Sequence, residues 1–362
     1  MKVTEQLQKM GQSLWLDNIT RDLINSGTLA HYINDFSITG LTSNPTIFEK
    51  AISTTDLYDE EIRSHSQKVI LNEDVFFQLA LNDLGQAAKL FKPVHDETDG
   101  LDGWVSLEVS PLLVDDAEGT IKAAVELYSQ AEFANLLIKI PGTEAGIRAI
   151  EETIYSGVPV NVTLLFSKQQ YVAAAEAYMR GIERRIAEGM SPHISCVASL
   201  FVSRWDVAIK DKVNTDLQNK LGIAIAQDCY KAYQELMVST RWQTLIEEGA
   251  QGQRLLWAST GTKDPHAPAT LYIDALAAPN TINTIPEKTL HAFAEHGQIA
   301  SELDADADAS DVESLLDAFS KEGIDLDDLA SQLQKQGAES FAQSWRTLLD
   351  CIHAKREVST NS

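Results

Sequence analysis

Cysteine is scarce in this chain. Cys196, Cys229 and Cys351 lie far apart, with no CxxC pair and no cysteine and histidine cluster at zinc spacing. That leaves no zinc site to expect and reads as a reducing, cytoplasmic setting. Cations are also few, 29 lysines and arginines against 53 acids, for a formal net charge of −24 at pH 7. Such a surface disfavours nonspecific binding to nucleic acid or anionic membrane. It does not exclude an anionic small substrate, because a local basic pocket can sit on an acidic protein. No apolar run is long enough to cross a bilayer. The opening stretch MKVTEQLQKMGQ lacks the apolar centre of a signal peptide.

What is present is a rhythm. The 362 residues, 44% of them hydrophobic, are ample for a large core. Eight short apolar runs recur: SLWLDN (13–18), SITGLTSN (37–44), GWVSLEVS (103–110), NLLIKIP (135–141), PVNVTLLF (159–166), HISCVASLF (193–201), RLLWAS (254–259) and NTINTIP (280–286). Most are apolar on both faces, as parallel strands covered by helices are. Helical patterns separate them. One starts at Thr143 and stops near Gly157. Another opens with Ser167 three residues before Gln170, a capping-box spacing, and a third has Pro45 in its first turn. The gaps 45–102 and 202–253 are long enough for two or more helices each. Eight strands alternating with helices predict a single (β/α)8 TIM barrel over residues 1–300, with extra helices at both ends. The structural alternative, a doubly wound open sheet, usually has fewer strands, and no GxGxxG follows SLWLDN.

Residues 301–362 differ. Between 301 and 328 stand eleven acids and one base, Lys321. Helical spacing persists there in Val312, Leu315, Leu316 and Phe319, and again in Phe341, Trp345, Leu348 and Ile352. This predicts an acidic linker and helices docked on the barrel. DADADASD at 304–311 is similar to a calcium loop, but Ala309 stands where that loop needs glycine and Leu315 where it needs glutamate. A solvated acidic run is the better reading.

Within NLLIKIP, Lys139 breaks an otherwise apolar strand. A charged lysine there must be paired, neutral or aimed at a cavity. In a barrel, alternate side chains point inward and chemistry sits at the C-terminal ends of the strands. Those ends offer Asp17 on strand one, Thr42 and Asn44 on two, Ser106 and Glu108 on three, and Asn161 and Thr163 on five. Ser195 and Ser199 follow on six, and Ser259 on seven. Each has a plain structural reading: Asp17 and Asn44 as helix N-caps, Glu108 as partner of a structural base, Thr163 and Ser259 as hydroxyls bonded to backbone, and Lys139 as an ion-pair partner of Asp17 or Glu108. Cys196 reads as a packed core residue. Polar groups at comparable depth on seven strands nevertheless read as a site.

Burial disfavours the charged form of a lysine, and a neutral amine can attack a ketone to form a Schiff base. The protonated imine is an electron sink that lets the neighbouring C–C bond break. Two carboxylates in different environments, Asp17 and Glu108, suit the acid and base steps. Asn44, Ser199 and Thr163 can hold sugar hydroxyls or an ordered water. Arg204 in SLFVSR and Lys263 in ASTGTKDP can meet a phosphate, unless either is an ordinary surface charge.

The segments GLTSNPTIF, GWVSLEVSP, NLLIKIPGTEAGIRAIE, NVTLLFS, SLFVSRWD and INTIPEKTL resemble the transaldolase family, in its longer branch, over essentially the whole chain. The resemblance implies a class I aldolase-like barrel without metal or organic cofactor. It implies transfer of a dihydroxyacetone unit from sedoheptulose 7-phosphate or fructose 6-phosphate to glyceraldehyde 3-phosphate or erythrose 4-phosphate, in the pentose phosphate pathway. By motif, the Schiff-base lysine falls on Lys139, the acid/base aspartate on Asp17, and the glutamate that holds water with Thr163 on Glu108. The substrate-binding positions fall on Asn44, Ser199, Phe201 and Arg204. One position departs: where many members have an arginine two residues past the strand-seven serine, Ser259 is followed at that spacing by Gly261, and the nearest base is Lys263. Two alternatives remain on the same scaffold, an aldolase that releases free dihydroxyacetone and a non-catalytic phosphosugar-binding barrel. Aldolase relatives carry tyrosine where this chain has Phe201. Sugar phosphates are the partners expected. A monomer and a homodimer fit the sequence equally.

Overall fold

Each of the eight apolar runs forms a strand in the computed structural model, which describes residues 2–66, 68–299 and 309–357. The strands are β1 (Ser13–Leu16), β2 (Ile38–Leu41), β3 (Val105–Glu108), β4 (Leu136–Pro141), β5 (Val160–Leu165), β6 (Cys196–Phe201), β7 (Arg254–Ala258) and β8 (Thr281–Ile285). Every strand residue is buried, which is why the runs carry apolar residues on both faces. The pairing is parallel throughout, in the order β2-β1-β8-β7-β6-β5-β4-β3. The two end strands meet through Leu41 N–H to Trp104 O at 3.0 Å and Gly103 N–H to Thr39 O at 2.8 Å, so the sheet closes into an α/β TIM barrel.

Several helices begin where short polar side chains can accept from their first turn. Asn44, Thr143 and Ser167 cap the helices Pro45–Thr54, Glu144–Tyr155 and Lys168–Ala187. At Ser167 the box closes one residue early: the Gln170 side chain accepts from Phe166 N–H at 2.7 Å. The long gaps hold Asp59–Ser64 and Asn72–Glu97 on one side, and Ser203–Ile209, Leu221–Met237 and Thr240–Glu247 on the other.

At the N-terminal end the barrel is plugged by a polar knot. The Arg254 guanidinium donates to Ser13 Oγ at 2.7 Å, Thr281 O at 2.8 Å and Leu101 O at 3.1 Å. Asp102 accepts from Ser13 Oγ and, at 2.6 Å, from Trp15 Nε1. Ser195 belongs to this end. It precedes β6 and donates to Gln251, so it leaves the set of strand-end candidates.

The acidic linker expected at 301–308, with most of the DADADASD run, lies outside the described residues. Beyond it, Ala309–Lys321 packs on Leu221–Met237, with Phe319 buried. The C-terminal helix Leu326–Glu357 buries Leu329, Leu333, Gly337, Phe341, Trp345, Leu348 and Ile352, one face at steps of three and four residues. It lies along Pro45–Thr54 and Asn72–Glu97, and it also touches β5.

Candidate active site

Parallel register decides which polar groups meet. Glu108 pairs with Lys139, and Lys139 with Asn161, so the three side chains face one interior from adjacent strands. Lys139 is only 5% exposed. Its Nζ lies 3.1 Å from Glu108 Oε2 and donates to the Ser43 carbonyl at 3.0 Å. The contact with Glu108 is a buried ion pair, and neither carboxylate oxygen has a further hydrogen-bond partner among the described residues. Burial holds the Glu108 carboxyl above its ordinary value of 4.5, against the opposing charge of Lys139.

Asp17 follows β1 and is held by its own N–H to Ile285 O at 2.8 Å. Burial raises its carboxyl as well. The charge of Lys139 and the Thr42 hydroxyl, which donates to Oδ1 at 3.1 Å, pull the other way. Lys139 thus stands between two carboxyls that burial pushes up.

Thr163 sits at a break in the ladder. The register of β5 against β6 shifts between Val162 and Leu165, and Leu164 takes the left-handed φ of 58°. The Thr163 hydroxyl is buried without a hydrogen-bond partner. Beside Lys139, Ser199 Oγ donates to Asn161 Oδ1 at 2.7 Å, and Asn161 Nδ2 donates to Ser106 Oγ at 3.2 Å. Asn161 and Ser106 therefore support the floor of the site.

A cavity of about 110 Å3 opens above Lys139. Asp17, Asn44, Thr163 and Ser199 line it with Lys139, as do Phe201, Arg204, Ser259 and Lys263. Glu108, like Ser106 and Asn161, is absent from the lining. Asn44 fills two positions at once: Oδ1 caps its helix by accepting from Ile47 N–H at 3.0 Å, and the residue still faces the cavity. Ser259, at φ 56°, shares a hydroxyl contact with Ser203 at 3.0 Å. Arg204 lies 5.4 Å from the centre of the Phe201 ring and has no carboxylate within ion-pair range among the described residues. Burial lowers its pKa, as expected of a guanidinium without a counter-charge. A larger groove of about 750 Å3 on the outer wall is remote from this chemistry, and its Arg21 is already paired with Asp83 and Glu61.

The family model described as transaldolase/fructose-6-phosphate aldolase matches residues 14–352. The chain is 41% identical to a transaldolase of Saccharopolyspora erythraea over 96% of both chains. It is 39% identical to a transaldolase of Neisseria meningitidis serogroup A, covering 96% of this chain and 99% of that one. With transaldolase 2 of Nostoc punctiforme the identity is 38%, covering 98% and 97%.

The chain belongs to the transaldolase/fructose-6-phosphate aldolase family.

For a member of this family, sequence reasoning missed one wall of the cavity. Phe341, on the C-terminal helix, lines it with its ring centre 5.6 Å from Lys139 Nζ. The sequence marks Phe341 as a residue of an apolar helix face and says nothing of what that face covers. Thr284, which shares a 2.6 Å hydroxyl contact with Thr42, was also missed. Among the described residues, no group of three or more histidine, cysteine or acidic side chains could hold a metal ion, and no helix is long and apolar enough to cross a membrane.

Proposed function

We propose that this chain works in the cytoplasm as a transaldolase of the pentose phosphate pathway. It moves a dihydroxyacetone unit from sedoheptulose 7-phosphate or fructose 6-phosphate to glyceraldehyde 3-phosphate or erythrose 4-phosphate, through a Schiff base on Lys139. The observation that carries this reading is the buried Lys139 amine at the base of a cavity, with Glu108 at 3.1 Å and Asp17 nearby.

In this mechanism Lys139 passes a proton to Glu108, whose carboxyl burial has raised, and the free amine attacks the ketose carbonyl. Water leaves the carbinolamine. Glu108 and Thr163 hold that water, a role that suits Glu108 Oε1 and the Thr163 hydroxyl, which are buried without a hydrogen-bond partner among the described residues. Asp17 takes the proton of the hydroxyl beside the breaking bond, the C–C bond cleaves, and the aldose departs. The enamine left on Lys139 adds to the acceptor aldehyde, Asp17 returns the proton, and water adds back to the iminium to release the ketose and restore the amine. Asn44, Ser199 and Ser259 hold substrate hydroxyls.

Phosphate binding falls to Arg204 beside Phe201 and to Lys263. A β-carbon at Gly261 would lie 3.8 Å from Lys263 Nζ, so the lysine reaches the space in which a side chain from 261 would start. Lys263 therefore takes the place of the arginine that Gly261 removes.

The family also covers fructose-6-phosphate aldolases. Phe201 favours transfer over that activity, because phenylalanine has no hydroxyl to serve as a proton donor in the cavity. Borohydride reduction with fructose 6-phosphate, followed by peptide mapping, tests the covalent step. A dihydroxyacetone adduct on Lys139 is expected. Its absence from folded, sugar-binding protein would make Lys139 a structural charge partner and leave a non-catalytic sugar-binding barrel. Equal consumption of fructose 6-phosphate with and without acceptor would make the chain an aldolase.

A further inference from the structure

The barrel does not supply all of the cavity. Gln334, Gly337 and Phe341 recur on the face of the C-terminal helix that crosses the mouth. Gln334 Nε2 donates to Gly142 O at 3.0 Å and Leu164 O at 2.9 Å, at the rims of β4 and β5. Gly337 rests on Leu164, where a β-carbon would come within 2.8 Å of Leu164 Cδ2. Ten residues beyond Gln334, about 15 Å along the helix axis, Ser344 shares a 2.8 Å hydroxyl contact with Thr46 on the far side. Trp345 packs edge-on against Phe76 at 4.9 Å. The helix is thus fastened on both sides of the mouth, and Phe341 hangs between the fastenings, 4% exposed, over Lys139.

We propose that Phe341 is a specificity-determining residue that roofs the three-carbon unit on Lys139 against water and so favours its transfer to an aldose over its release. This rests on the Schiff-base reading given above. Two fates compete for the enamine. In the first, its carbon attacks the acceptor aldehyde, a C–C bond forms, the aldehyde oxygen takes a proton from Asp17, and water then hydrolyses the new iminium to release the ketose. In the second, the carbon takes a proton, water adds to the resulting iminium, the C–N bond breaks, and dihydroxyacetone leaves with the Lys139 amine restored. The second route needs only water and a proton. Both start from one intermediate and both end in hydrolysis of an iminium, so their ratio is set where the enamine carbon meets either the acceptor or a proton delivered by water, and not by the ease of forming the Schiff base. Phenylalanine suits the roof. It holds no water and donates no proton, and its π face lies towards the nitrogen that carries positive charge in the iminium.

The test uses the full chain with Phe341→Ala, Phe341→Val and Phe341→Leu. Borohydride trapping with fructose 6-phosphate first establishes the adduct on Lys139. Release of free dihydroxyacetone without acceptor is then compared with transfer to erythrose 4-phosphate. Opening the roof with Phe341→Ala is expected to raise the release-to-transfer ratio about tenfold, with Phe341→Val between it and wild type. Phe341→Leu restores most of the volume and is expected to bring the ratio back to within about threefold of wild type. If Phe341→Ala does not fold, Phe341→Val decides. An unchanged ratio in trapped, folded variants overturns the proposal even where total turnover falls, and reduces Phe341 to packing. Failure to trap wild-type protein is a different result: it removes the Schiff-base reading itself.

Discussion

The two ends of the barrel each bury a base beside an acid, and they treat the pair in opposite ways. At the N-terminal end, Arg254 spends its outer nitrogens on Ser13, Thr281 and Leu101, leaving only Nε without a partner, and Asp102 is held by Ser13 and Trp15. At the C-terminal end, Glu108 has only its ion pair with Lys139 and the Thr163 hydroxyl has no hydrogen-bond partner among the described residues, while Lys139 donates to Ser43. Buried polar groups are normally satisfied, and leaving one unsatisfied costs about 1–3 kcal/mol. The first pair is a fastening. The second keeps its hydrogen-bonding capacity for something that is not protein.

The contrast is sharpest in a paired experiment. Lys139→Met should lower turnover by about 10⁴-fold or more and abolish borohydride labelling, with the circular dichroism spectrum retained. Arg254→Met should do the reverse, lowering stability by about 3–5 kcal/mol in urea titration because Asp102 loses its counter-charge, while the folded fraction still labels at Lys139. Equal loss of labelling in both variants would end the distinction.

Asp17→Asn comes next, with turnover expected to fall about 10²- to 10⁴-fold. Its stability also carries a sign. A carboxyl raised above its ordinary 3.8 in the fold takes up a proton on folding. The stabilisation it offers is therefore present below that value and is lost as pH rises through the folded pKa. The Asn variant lacks this loss, so its melting temperature should gain on wild type as pH climbs from about 4 towards neutrality. A constant gap would show that Asp17 is not perturbed.

Arg204→Ala should raise KM for fructose 6-phosphate about 10- to 100-fold, the loss of a charge-assisted contact, with a smaller change in kcat. Lys263→Ala, at a more exposed cation, should raise KM about two- to tenfold. The smallest effect belongs to Cys196. Burial pushes its thiol up to about 12, so thiol reagents should leave native protein unlabelled at this position over hours near neutral pH.

Much of the barrel was legible because covered parallel strands have few alternatives in composition. All eight runs became strands, and Asn44, Thr143 and Ser167 capped the helices their positions announced. Most of the predicted polar set converged because side chains alternate and register carries Glu108, Lys139 and Asn161 to one level. Ser195 was misread because alternation does not say which end of a run a residue occupies, and it bonds Gln251 at the closed end. Phe341 was out of reach for another reason. Its pattern fixes the face it occupies on its own helix, whereas the surface under that face, 202 positions from Lys139 in the sequence, is set by tertiary packing.

That separation has a consequence for synthesis. A ribosome makes Lys139, Glu108 and all eight strands before Phe341, which sits on the last described helix. A nascent barrel therefore holds Lys139 for a time with the mouth open, and the pocket is finished only when the helix Leu326–Glu357 has been made. Ribosome-stalled chains ending before Leu326 should react faster at Lys139 with a small carbonyl reagent than chains carrying the helix, which would make maturation of the pocket a step that follows synthesis of the barrel strands.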